Sequence, residues 1–194
     1  MPLTINYQNY TDLQLTAACL RGERGAWEEL VYRFSPLVYA IPLRKCQLPV
    51  QDAEDIVQSV FQTVFEKLRG LEDGSKLRAW MVSIAWRKSI DWIRARRDDE
   101  IPLDDMPPME DEGDRPSEAV STYERRRILG EALAELGDIH ARAIIECRFY
   151  EGMSYREISD ALGIPIGSIG PMMGRGLEKL RSILYRKGMT DLSF

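Results

Sequence analysis

Trp80, Trp86 and Trp92 recur every six residues among Arg78, Arg87, Lys88, Arg94, Arg96 and Arg97. Indole faces stack on unpaired bases for about 1–3 kcal/mol each, and the cations between them follow phosphates. The same tryptophans also suit a protein core. A helix turns through about 240° between residues six apart, so the three indoles cannot share one face. At least one is expected in the core and at least one partly exposed.

A second constellation lies near the carboxy-terminal end, SYREISDALGIPIGSIGPMMGRGLEKLRSIL over residues 154–184. Ser154 and Glu157 have the Ser-x-x-Glu spacing of a capping box, in which each side chain satisfies the other's backbone N–H. Ile158, Ala161 and Leu162 then make one apolar stripe. Gly163 suits the left-handed residue that ends a helix, and Ile164 can fill the corner. A second helix follows, with Leu177, Leu180, Ile183 and Leu184 inward and Arg175, Lys179 and Arg181 on other faces. This is a helix-turn-helix, which lays its second helix in the DNA major groove; the plainer alternative is a helical hairpin. Pro171 breaks a helix that starts near Ile166. With Ser168 as N-cap it would fall in the first turn, where its missing N–H is harmless. The regular second helix is therefore expected from Ser168. Gly170, Gly174 and Gly176 offer no side chains to base edges. They permit close backbone approach to DNA or close packing of helices.

Both constellations need helices, and the sequence supplies them. The fold class is all-α: two small helical domains, 1–97 and 119–194, joined by 98–118. Asp12 to Leu20 reads as a short helix. Gly25 to Cys46 follows, apolar at every third or fourth position and divisible at Pro36 or Pro42. A third helix is expected from Asp52 to Leu68, and a fourth from a cap at Ser75 to Arg97. Ser121 to Leu136 and His140 to Tyr150 precede the helix-turn-helix. On helix 52–68, Ile56, Val57, Val60, Phe61, Val64, Phe65 and Leu68 form a broad apolar face. Asp55, Gln58, Ser59 and Gln62 form a polar stripe, which is a solvated face or a dock for a partner coiled coil.

The chain has 194 residues and net charge −5, an unpromising balance for a DNA binder. The acidity is local. Residues 98–118 carry net −9, whereas 1–97 carry +3 and 119–194 carry +1. Local field matters more than the total to a polyanionic partner. DDEIPLDDMPPMEDEGDRPSE is too polar and proline-rich to bury a core, so it reads as a tether, with a nucleic-acid mimic as the alternative. Cys19, Cys46 and Cys147 are far apart and His140 is the one histidine. That set makes a His/Cys metal site improbable, and no metal or cofactor is expected. Neither a catalytic triad nor a phosphate loop is visible, so an enzyme is not expected. The amino terminus lacks the basic-then-apolar form of a signal peptide, and no apolar run approaches about 18 residues. The expected setting is cytoplasmic, without membrane insertion.

TDLQLTAACLRGERGAWEELVYRFSPLVYAI, DAEDIVQSVFQTVFEKL and LRAWMVSIAWRKSIDWIRARR, in that order, resemble region 2 of the bacterial sigma-70 superfamily. The terminal helix-turn-helix resembles region 4, and the two-region layout is that of the extracytoplasmic-function (ECF) group. The resemblance implies a sigma factor that binds core RNA polymerase and directs promoter-specific initiation. Asp52, Asp55, Gln58, Phe61 and Gln62 would then dock on the clamp helices of the largest polymerase subunit. Lys76, Arg78, Arg87 and Lys88 would hold the single-stranded −10 element, with Trp80 and Trp86 stacking or packing. Arg148, Tyr155, Arg156, Ser168, Arg175 and Lys179 would meet the double-stranded −35 element. An anti-sigma protein that wedges between the two regions is a further implied partner. The competing readings are a helix-turn-helix regulator independent of polymerase and a sigma-like decoy.

Overall fold

The computed structural model describes residues 6–97 and 119–189; the acidic stretch 98–118 lies outside the described residues. Among those described, every regular element is helical. α1 (Asp12–Leu20) starts from a capping box in which Thr11 and Gln14 satisfy each other's N–H groups. α2 (Arg24–Ala40) runs through Pro36 without ending. The expected division falls at Pro42 instead. Lacking an N–H, Pro42 cannot continue the ladder, and Ile41–Lys45 widens to π spacing, with the Cys46 N–H on the Ile41 carbonyl at 2.9 Å.

α3 (Val50–Lys67) begins two residues before the expected Asp52 and buries Ala53, Ile56, Val60 and Val64. The fourth helix is not capped by Ser75. Asp73 accepts from the Ser75 N–H at 2.9 Å and caps a 3₁₀ turn, Gly74–Lys76, which feeds α4 (Leu77–Arg97). Asp73 stands immediately before the turn, where a side-chain oxygen reaches its free N–H groups, whereas Ser75 lies inside it. α5 (Ala119–Ala134), α6 (Ile139–Phe149), α7 (Tyr155–Leu162) and α8 (Ile166–Arg186) complete the chain.

α4 is the central element. It packs against α1, α2, α3 and the π segment on one side and against α6 and α7 on the other. The main core therefore crosses the chain's two halves: Leu77, Met81, Ala85 and Trp86 share it with Ile144, Cys147, Ile158 and Leu162. A smaller cluster of Leu133, Leu136, Ile145, Leu180 and Leu184 joins α5 and α6 to α8. The two helical sets expected from sequence are present, but they lie against each other. All three cysteines are buried and free. Burial pushes the Cys19 thiol up to about 11 and those of Cys46 and Cys147 to about 12, as suits apolar filler rather than reactive sulfur.

Candidate nucleic-acid interface

The three tryptophans of α4 separate by environment. Trp86 is fully buried in the shared core, and its indole N–H meets no acceptor among the described residues. It has no face to offer a base, so of its two expected roles the structure assigns packing. Trp80 is half-buried and lines a cleft of about 540 Å³ with Ile84, Lys76, Arg87 and Lys88. Trp92 is half-buried under the Arg96 guanidinium, 4.3 Å from its centroid. One indole in the core and one at the surface is what six-residue spacing requires.

The cations of this face already have partners. Lys88 donates to the Ser59 hydroxyl at 2.8 Å, tying α4 to α3. Arg87 lies 4.0 Å from Asp91. Arg78 faces Glu151 through two contacts, 3.1 and 3.4 Å, and Lys76 pairs with Glu157. Lys76 first, then the Ser154 hydroxyl and N–H, hold the Glu157 carboxyl down to about 2. Glu157 thus serves both the α7 cap and the residues before α4.

The α3 stripe is open at Asp55, Gln58 and Gln62, while Asp52 is drawn aside by Arg96 at 3.4 Å. Phe61 is half-buried against the core, at the seam rather than on the stripe. Phe65, read from sequence as core, is 68% exposed beside Trp27, with ring centroids 5.1 Å apart. The spacing 55-58-62-65 already put it on the polar stripe; its hydrophobicity masked that signal.

The helix-turn-helix forms as its caps dictate. The Ser154–Glu157 box is complete, Gly163 has φ 67°, and Ile164 is buried in the corner. The start of α8 corrects the expectation. The helix runs unbroken from Ile166, and the Ser168 N–H donates to the Pro165 carbonyl at 2.8 Å, so Ser168 is not the cap. Pro171 therefore sits inside the ladder. Two features accommodate it. Fully buried Ile169 anchors the first turn, and the carbonyl that Pro171 cannot satisfy belongs to exposed, side-chain-free Gly167.

Gly167, Pro171 and Gly174 then form the outward face of α8, all exposed. Ser168, Arg175 and Lys179 follow one flank at i, i+7 and i+11. Arg148 is exposed; its guanidinium donates to the Met153 carbonyl at 3.0 Å and lies 5.9 Å from the Tyr155 ring, bracing the α6–α7 turn. Arg156 is exposed on α7. The glycines divide by role. A Cβ on Gly176 would lie 2.9 Å from the Ala141 Cβ and 3.0 Å from Ile145, whereas one on Gly174 would meet nothing within 4 Å. Gly176→Ala should therefore cost about 1–3 kcal/mol by overpacking. Gly174→Ala should gain up to about 1 kcal/mol. Thermal unfolding of the two variants reads both.

An open polar stripe, a half-buried indole among cations and a helix-turn-helix are the combination that the sigma-factor resemblance implies. Comparison with known families agrees. Residues 30–98 match Sigma-70 region 2 and residues 132–182 match Sigma-70, region 4. The chain is 31% identical over 161 residues to the ECF RNA polymerase sigma factor RpoE of Cereibacter sphaeroides, covering 82% of this chain and 86% of that one. It is 31% identical to the RNA polymerase sigma factor CarQ of Myxococcus xanthus, covering 84% and 91%. For ECF RNA polymerase sigma factor SigE of Mycolicibacterium smegmatis the identity is 30%, covering 83% of this chain and 62% of that one. Among solved structures, CnrH in complex with the cytosolic domain of CnrY has the same fold, with TM-score 0.56 and 24% identity over 91% of this chain and 99% of that one. The chain belongs to the ECF sigma factors of the sigma-70 family, which direct RNA polymerase to promoters and are initiation factors rather than enzymes. No described helix is long and apolar enough to cross a membrane.

Proposed function

We propose that Asp55, Gln58 and Gln62 form the centre of the surface that docks on the polymerase clamp, with Asp52 and Phe61 at its edges. The exposure of this stripe on an otherwise well-packed helix carries the reading. Lys76, Arg78, Arg87 and Lys88 hold the single-stranded −10 element. Trp80 stacks on a base beside them, and Trp86 supports the helix from within. Such a site takes a base out of the stack and helps keep the strands apart. Arg148, Tyr155 and Arg156 position the −35 backbone, and Arg175, with Ser168 and Lys179 on the same flank, meets the groove.

The bare outward face of α8 supports recognition of groove shape and backbone at most −35 positions, with Arg175 the principal side-chain contact. Arg175→Ala should weaken −35 binding by about 1–3 kcal/mol if it grips a guanine, read as the −35 footprint of the holoenzyme. An unchanged footprint removes that role.

The site of action is the cytoplasm, beside the polymerase. A protein regulator related in role to the CnrY domain solved with CnrH is a further expected partner. Run-off transcription with core enzyme on the gene's own upstream region tests the whole reading. A defined start site that requires this chain supports it, and its absence over a range of promoter fragments overturns it.

A further inference from the structure

Pro171 stands where local rules disfavour it. A proline inside a helix removes a ladder bond and is the least favourable residue there. As the sixth residue of α8 it lies beyond the first turn, and the helix continues past it to Arg186, so it neither caps nor stops the helix. It is exposed, so it fills no gap in the core. Residues that break a local rule in this way concentrate at functional sites. Its neighbours leave the ring standing clear. Gly167 and Gly174, four residues before it and three after, adjoin it on the same face, and a Cβ at either would meet nothing within 4 Å. Beside them the Tyr155 ring covers Gly170, 3.7 Å from where its Cβ would stand. Fully buried Ile169 and the packing glycine Gly176 hold the opposite face against the core and α6. The pyrrolidine is therefore an apolar knob on an otherwise bare strip of backbone.

We propose that Pro171 determines specificity at one −35 position, its ring packing on the 5-methyl group of a thymine. The inference rests on the placement of α8 in the −35 major groove. A pyrrolidine on a helix has neither donor nor acceptor to offer a base. Of the base edges in the major groove, thymine alone presents an apolar group, its 5-methyl. The other edges present donors and acceptors, which the ring would strip of water without replacing their hydrogen bonds. Gly167 and Gly174 let the backbone approach the groove on either side of the ring; larger residues there would hold it off the base. Arg175, one turn further on and exposed, supplies a polar contact, and Pro171 supplies the apolar one. The ladder bond lost at Pro171 is thus exchanged for a contact made only on DNA.

The test uses holoenzyme assembled from core polymerase and the full chain. Its probe is the promoter defined by run-off transcription, randomised across the −35 region and selected for binding. Wild-type holoenzyme should enrich a thymine at one position. Replacing that thymine by uracil removes the methyl group alone and should weaken binding about fourfold, the contribution of one buried methyl group. Pro171→Gly holoenzyme should bind the thymine and uracil duplexes equally and lose the preference at that position, while its other −35 preferences persist. Pro171→Gly and Pro171→Ala both regain the N–H that the Gly167 carbonyl lacks, so neither weakens the ladder at that point. Pro171→Ala should unfold at a higher temperature than wild type, which separates any binding loss from a loss of fold. A selected −35 element without thymine overturns the proposal. So does wild-type binding indifferent to uracil, or a uracil loss of the same size in Pro171→Gly. Transcription from the promoter with no −35 preference at all removes the placement of α8 in the groove and the inference with it, a result distinct from the failure of Pro171 alone.

Discussion

Asp55→Lys/Gln58→Lys should lower affinity for core polymerase by at least about a hundredfold while leaving the fold intact. An acid followed by two amides, all exposed on one stripe of α3, favours a partner rich in donors or positive charge. Two lysines at its centre reverse that preference, and like-charge juxtaposition across an interface costs several kcal/mol, each 1.4 kcal/mol being a factor of ten. Neither side chain is buried, so thermal unfolding of the variant should change by no more than about 0.5 kcal/mol. Competition against the wild-type protein for a fixed amount of core enzyme provides the measurement. Undiminished competition by the double variant would remove the stripe from the interface. The same protein retains the proposed −10 cations and an intact α8, so a loss confined to polymerase binding separates docking from DNA recognition.

The second large effect concerns two tryptophans six residues apart on α4. Trp86→Ala should destabilise the protein by about 3–5 kcal/mol, because it removes the largest fully buried side chain from the core that α4 shares with α6 and α7. That is a large part of the total stability of about 5–15 kcal/mol typical of a domain. Trp80→Ala should cost only about 1 kcal/mol, because its indole is half in solvent at the cleft. The order reverses in function per folded molecule. Trp80→Ala should impair strand opening at a promoter, and a base-stacking loss of about 1–3 kcal/mol corresponds to roughly 5- to 150-fold. Denaturant unfolding together with permanganate reactivity of the opened strand reads both. Equal stability losses would contradict the assigned environments.

Local chemistry was legible where a single local signal decided the answer. The Ser154–Glu157 box, the left-handed Gly163 and the corner residue Ile164 all follow from spacings of a few residues. So does the apolar face of α3 at Ile56, Val60 and Val64. Local rules failed where two candidates competed. Asp73 caps the turn before α4 in place of Ser75, because it stands two residues earlier, at the position just outside the turn. Pro171 argued for a helix start at Ser168, but burying Ile169 from a start at Ile166 outweighed one lost backbone bond. A propensity argument sees the bond and not the burial.

By itself the sequence determined the helical class, the capping box and left-handed stop of α7, and the presence of a polar stripe on α3. These follow from side-chain periodicity and from hydrogen bonds spanning four residues or fewer. Only the tertiary structure decided which tryptophan is core, that Phe65 stands exposed on the stripe, and that Gly176 is a packing glycine while Gly174 is open. It also decided that Lys76 and Arg78 meet Glu157 and Glu151, some eighty residues away. Long-range pairing depends on how whole helices share a core. The helix-turn-helix with its bare outer face is therefore readable as a motif, whereas what its first helix does to the rest of the molecule is not.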